Sequence, residues 1–113
     1  MNTKKQSAIG ISKAIDYYTN SGYSVFIPVT DTERYDLLVD TGKEILKVEV
    51  KTSNQKNGQF TLRTLGGNRS WSGVIKKLSS TDCDRVFLVQ LFTGVAREFN
   101  ISELEGRSSI TLK

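Results

Sequence analysis

The stretch YDLLVDTGKEILKVEVKT, from Tyr35 to Thr52, constrains the fold more than any other part of the chain. Leu37, Val39, Leu46, Val48 and Val50 alternate with Asp36, Leu38, Asp40, Ile45, Lys47, Glu49 and Lys51. A period of two belongs to β-strands, whose successive side chains point to opposite faces. Between the two runs, Gly42-Lys43 suits a two-residue turn with glycine first. That turn sets Thr41 opposite Glu44, Leu38 opposite Lys47 and Asp36 opposite Glu49. A slip of one residue would mix the apolar and polar sets, so the pattern itself favours this register. The expectation is a hairpin with one buried face and a second face that carries Asp36, Glu49 and Lys51.

The remaining elements are read around this hairpin. Ala8, Ile11, Ile15 and Tyr18 recur at helical spacing and predict a helix from about Lys4 to Asn20, stopped by Ser21-Gly22. YSVFIPV (23–29) reads as a short strand, and FTLRT, DRVFLVQLF and VAREFN read as three more. Trp71 to Leu78 is expected as a short helix with Ser70 as a possible cap. ISELEGRSS is expected as a last helical turn or a loop before ITLK. The order of elements implies an α/β (α+β) domain: one mixed sheet with the N-terminal helix packed on it. A chain of 113 residues is the size of one domain, so a single domain over 1–113 is expected.

Composition narrows the chemistry. There is no histidine, which removes Ser-His-Asp triads, Cys-His pairs and histidine-based zinc motifs. Cys83 is the only cysteine, so neither an internal disulfide nor a thiolate zinc site can form, and a reducing, cytoplasmic setting is expected. No apolar run approaches the ~18 residues of a membrane span, and MNTKKQS lacks the apolar core of a signal peptide. What remains is carboxylate chemistry with a hard cation such as Mg²⁺. The net charge of +4 is local: residues 51–81 contain no Asp or Glu and carry +6, leaving −2 for the rest. Lys56, Arg63, Arg69, Lys76 and Lys77 lie in this segment and are expected to contact the phosphates of a nucleic acid. An ordinary solvated loop would also account for them.

In the expected register, Asp36 and Glu49 have Cβ atoms about 4.5–5.5 Å apart. Two carboxylates that close repel each other unless a cation lies between them. Asp36, Glu49 and the main-chain oxygen of Val50 could hold Mg²⁺, with Mn²⁺ as a substitute. Lys51, two residues after Glu49 on the same face, could serve a phosphate or an attacking water. The plainer alternative is a solvent-facing hairpin in which Glu49 pairs with Lys47 or Lys51.

RYDLLVD followed by KVEVKT resembles the core of the PD-(D/E)XK nuclease superfamily. It is similar in particular to a small group of endonucleases that includes intron-encoded homing enzymes, and more distantly to archaeal Holliday junction resolvases. IGISKAIDYYTNSGYSVFIPVTDTERYDLLVD resembles the opening helix of that family and its approach to the metal aspartate, and ISELEGRSSITL resembles its C-terminal end. The resemblance implies a restriction-endonuclease-like sheet and a metal-dependent cut in DNA, duplex or branched. It implies Asp36 and Glu49 as metal ligands and Lys51 as the catalytic lysine. An extra acid in the first helix of many relatives would fall at or near Ile11, which is apolar here. One site per chain cuts one strand, so a homodimer or higher homo-oligomer is expected for a duplex. A nuclease fold that binds nucleic acid without cutting it is the alternative.

Overall fold

The computed structural model describes residues 2–30, 32–65 and 75–112. Helix α1 spans Thr3–Asn20, and the Asn2 side chain caps it by accepting from the Lys5 N–H at 2.8 Å. Gly10, Ala14 and Tyr18 recur every four residues on its buried stripe, with Ile11 and Ile15 partly buried beside them. The helix ends where Gly22 takes φ +88°, a left-handed value open to glycine, and the Tyr23 N–H turns back to Tyr18 O.

Among the described residues, nine strands follow. They are β1 (Ser24–Phe26), β2 (Leu37–Asp40), β3 (Ile45–Ser53), β4 (Gln59–Thr61), β5 (Arg63–Leu65), β6 (Ile75–Lys77), β7 (Arg85–Gln90), β8 (Ala96–Asn100) and β9 (Ser109–Thr111). A short helix α2, Ile101–Leu104, joins β8 to β9. Five strands form a mixed sheet in the order β1-β2-β3-β7-β8, in which only β3–β7 is a parallel pair. Two antiparallel ribbons, β4–β9 and β5–β6, stand apart from it.

The hairpin has the expected register. Leu38 lies opposite Lys47 and Val39 opposite Leu46, and the Thr41 N–H donates to Glu44 O at 3.0 Å. Gly42 sits at φ +89°, and Asp40 Oδ1 accepts its N–H at 2.8 Å. Leu37, Val39, Leu46 and Val48 are buried in one core with Ala14 and Tyr18 of α1. A second core contains Val86 and Leu88 of β7 with Phe60, Ile101, Leu104 and Leu112. Each fully buried Leu, Val or Phe contributes about 1.5–3 kcal/mol through area removed from water.

Three expectations need correction. FTLRT, expected as one strand, is divided at Leu62 between β4 and β5, which pair with β9 and β6. The strand expected over 23–29 is confined to Ser24–Phe26, and Ile27 and Val29 are exposed. The helix expected from Trp71 to Leu78 is not formed at its end, because Ile75–Lys77 is a strand paired with β5. The first part of that expected helix, together with its cap Ser70, lies outside the described residues.

Candidate active site

The site is built where strand β2 stops. In regular register the rung after Leu37–Val48 on that side would join Tyr35 to Val50. Instead, Asp36 Oδ2 accepts the Val50 N–H at 2.7 Å, while the Asp36 N–H donates to Val48 O at 2.8 Å. The aspartate side chain takes over a main-chain rung and is thereby fixed on β3. A residue within a strand directs its N–H and C=O to the same side. The Val50 carbonyl therefore faces the side on which Asp36 lies.

Glu49 and Lys51 share the opposite face from Val48 and Val50, as alternation requires. Their side chains are 15% and 18% exposed, and Lys51 Nζ lies 3.4 Å from Glu49 Oε2. Burial, and then the negative charge of Asp36, push the Glu49 carboxyl up to about 8; the Lys51 ammonium opposes the shift without cancelling it. The crowding of the two carboxylates favours a proton on Glu49. A divalent cation would replace that proton and satisfy both groups.

The donor set fits such an ion. Among the described residues, no cluster of three or more His, Cys, Asp or Glu side chains is placed to hold a metal. Asp36 and Glu49, with the Val50 carbonyl, offer two carboxylates and a main-chain oxygen. Mg²⁺ is commonly bound by one or two carboxylates, with waters and phosphate oxygens filling the remaining positions.

Neighbouring residues hold this arrangement. Arg34, two residues before Asp36, pairs with the buried Asp82 at 3.2 Å and so ties the approach to Asp36 to the turn before β7. Asp82 also accepts from the Ser79 N–H at 3.1 Å. Cys83 is buried next to it, and burial, then the Glu49 and Asp82 charges, raise its thiol to about 12. It is a neutral packing group at physiological pH. The Arg34–Asp82 tie joins residues far apart in sequence, and no local pattern points to it.

Ile11 packs against the core between α1 and the sheet, together with Ile15. The α1 residues that share a groove with Lys51 are Thr3, Gln6 and Ser7, at the start of the helix. A larger groove of about 830 Å³ lies along α1 beside Phe87 and Ala96 and includes none of Asp36, Glu49 or Lys51. Of the expected phosphate contacts, Lys56 is exposed in the turn after β3, with Nζ 5.6 Å from the centre of the Phe92 ring. Lys77 is exposed on β6 and donates to Gly106 O at 3.1 Å. The main chains of Arg63 and Lys76 lie on the paired strands β5 and β6. Arg69 lies outside the described residues.

The fold is similar to the solved structure of a bacterial homing endonuclease, I-Ssp6803I. The TM-score is 0.83 at 24% identity, over 100% of this chain and 79% of that one. No curated protein matches the sequence. A family model described as PD-(D/E)XK endonuclease matches residues 1–90, across α1, the hairpin and β7. With Asp36, Glu49 and Lys51 gathered at the end of that hairpin, the chain belongs to the PD-(D/E)XK endonuclease family.

Proposed function

We propose that this protein is a Mg²⁺-dependent endodeoxyribonuclease, with Mn²⁺ able to replace Mg²⁺, and that Asp36, Glu49 and Lys51 form its catalytic centre. The observation that carries the reading is the half-buried Asp36–Glu49 pair with Lys51 Nζ 3.4 Å from Glu49. Asp36, Glu49 and the Val50 carbonyl would hold the ion. Bound there, Mg²⁺ would neutralise charge on the phosphoryl oxygens and make water a better nucleophile. Lys51 stands beside Glu49, where its ammonium stabilises negative charge that develops on the phosphate during attack. Water adds to phosphorus, and the bond to the leaving sugar oxygen breaks. Asp36 is held by the Val50 N–H, so its remaining oxygen is presented in a fixed direction and little rearrangement accompanies the reaction.

The basic residues Lys56, Arg63, Arg69, Lys76 and Lys77 belong to this reading as contacts to the DNA backbone. Such contacts set affinity and register without reading sequence. Similarity to a homing endonuclease supports a role in cutting duplex DNA for a mobile element, with two copies of the chain acting on the two strands. A junction resolvase is the second reading. It keeps the same site and differs only in the DNA presented to it. Incubating the protein with supercoiled plasmid and with a four-way junction, each in Mg²⁺ and in chelator, separates the two. Plasmid cleavage that needs Mg²⁺ supports the first reading, and cleavage restricted to the junction supports the second. Binding without cleavage of either would make the protein a non-cutting nuclease fold.

A further inference from the structure

Beside the carboxylates, a second recess opens at the far end of β3. It has a volume of about 380 Å³ and lies between the first turns of α1 and the segment that follows β3. Lys51 lines it and also lies 3.4 Å from Glu49, so this one side chain links the recess to the candidate active site. Its other polar walls are neutral: Thr3, Gln6 and Ser7 on one side, Asn54, Gln55 and Gln59 on the other. Among the described residues that line it, none is acidic.

The wall formed by residues 53–59 is rigidly held. Gln90 is fully buried on β7; its Nε2 donates to Gln55 O at 2.6 Å and its Oε1 accepts from the Phe92 N–H at 2.9 Å. Buried Ser53 donates through Oγ to Gln59 O at 3.0 Å and accepts from the Gln55 N–H at 3.2 Å. Gly58 sits at φ +74°, donates to Gln55 O and accepts from Leu112 N–H, and a Cβ there would run into Leu112 O. A turn fixed by a buried amide on a neighbouring strand holds the main chain from which Asn54, Gln55 and Gln59 project before any ligand arrives. That is pre-organisation, and it lowers the entropy lost on binding.

We infer that this recess is a subsite for the sugar-phosphate backbone of the cut strand, on one side of the phosphate attacked at Asp36 and Glu49. The inference rests on the nuclease reading for the identity of the strand. The chemistry of the walls supports it independently. Side-chain amides and hydroxyls next to a lysine are the groups that position phosphate oxygens and sugars without reading bases. The subsite differs in kind from the basic segment. It acts by directed hydrogen bonds from neutral groups, and its affinity depends on geometry more than on net charge.

The test introduces charge into the recess at two of its exposed amides, Asn54 and Gln59. Asn54→Asp combined with Gln59→Glu adds two negative charges that repel phosphate. Ser12→Asp combined with Asn20→Asp adds the same charge at exposed positions farther along α1, outside the recess. Both proteins and the wild type are titrated with a random-sequence DNA duplex in chelator, where no cleavage occurs, and cleavage in Mg²⁺ is measured separately. The Asn54/Gln59 variant is expected to bind at least about tenfold more weakly, the effect of losing one charge-assisted hydrogen bond. The α1 variant is expected to stay within about twofold of wild type. The neutral pair Asn54→Ala and Gln59→Ala, which adds no repulsion, should lose about tenfold as well, and it stands in if the charged pair melts early. Equal weakening of the charged recess and α1 variants would mean diffuse attraction only, and unchanged binding by the recess variants would overturn the subsite directly. A wild type that binds DNA but never cuts would remove the nuclease reading and leave the subsite standing. A wild type that binds no DNA would remove both.

Discussion

At the scale of single residues, the decisive group is Glu49. Its carboxyl is raised by burial and by Asp36, so the metal-free folded state holds a proton that the unfolded chain releases near the ordinary carboxylate pKa. The native state then binds more protons than the unfolded state between about pH 4.5 and 8, and stability falls as pH rises through that window. The slope contributed by one such group is at most about 1.4 kcal/mol per pH unit. Glu49→Gln should flatten this dependence in thermal melts recorded with chelator. Mg²⁺ should flatten it for the wild type, because the ion favours the ionised pair. A wild-type slope that survives both changes would show that another group is responsible. The nearness of Asp36 to Glu49 was legible in the sequence because a glycine-first turn and an all-apolar opposite face admit one register, although the ladder itself stops at Leu37. The way Asp36 is held was not. A regular ladder would place Tyr35 opposite Val50, and the capture of the Val50 N–H by a carboxylate depends on where β2 ends in three dimensions.

At the scale of elements, the site depends on how closely α1 approaches β3. Gly10 makes that approach: a Cβ there would run into Thr52 Cγ2 and crowd Val50. Alanine gains about 1 kcal/mol in helix propensity over glycine. Overpacking a filled interface costs about 1–3 kcal/mol, so Gly10→Ala should destabilise the protein on balance. Thr52→Ser removes the obstructing methyl and should restore stability in the double variant, giving a coupling energy in a denaturation cycle that two independent sites would lack. If Gly10→Ala alone stabilises, the interface is looser than described. The main helix and the central strands followed from periodicity, since Ile11, Ile15 and Tyr18 of α1 recur on one stripe and β7 carries a continuous apolar run. The ribbons β4–β9 and β5–β6 did not. Each of their strands spans three residues, too few for a period to show, and β4 finds its partner nearly fifty residues later in the chain. For the same reason, the stretch ending in Ile75–Lys77 reads as a helix in the sequence and forms a strand beside β5.

At the scale of the whole molecule, the acid-free segment and the proposed catalytic groups occupy different parts of the chain but meet at Lys51, which belongs to both. The acid-free segment was visible from composition alone. Which of its cations would contact DNA under the proposed function was not, because that depends on how its strands are placed in three dimensions. Each phosphate contact contributes about −0.9 to the slope of log affinity against log salt on duplex DNA. Alanine at Lys56, Arg63, Arg69, Lys76 and Lys77, one at a time, should flatten that slope by about 1 for at least two of the five. Lys43, exposed in the hairpin turn at the opposite end of β3, should leave it nearly unchanged. An equal effect from Lys43 would assign the attraction to net charge. The most direct test of the central claim is cleavage of supercoiled plasmid in Mg²⁺ by the wild type and by Asp36→Ala, Glu49→Ala and Lys51→Ala, with folding checked by circular dichroism. The account predicts cleavage by the wild type that chelator abolishes, and a rate loss of at least about 100-fold in each folded variant. Cleavage at the wild-type rate by all three variants would contradict it.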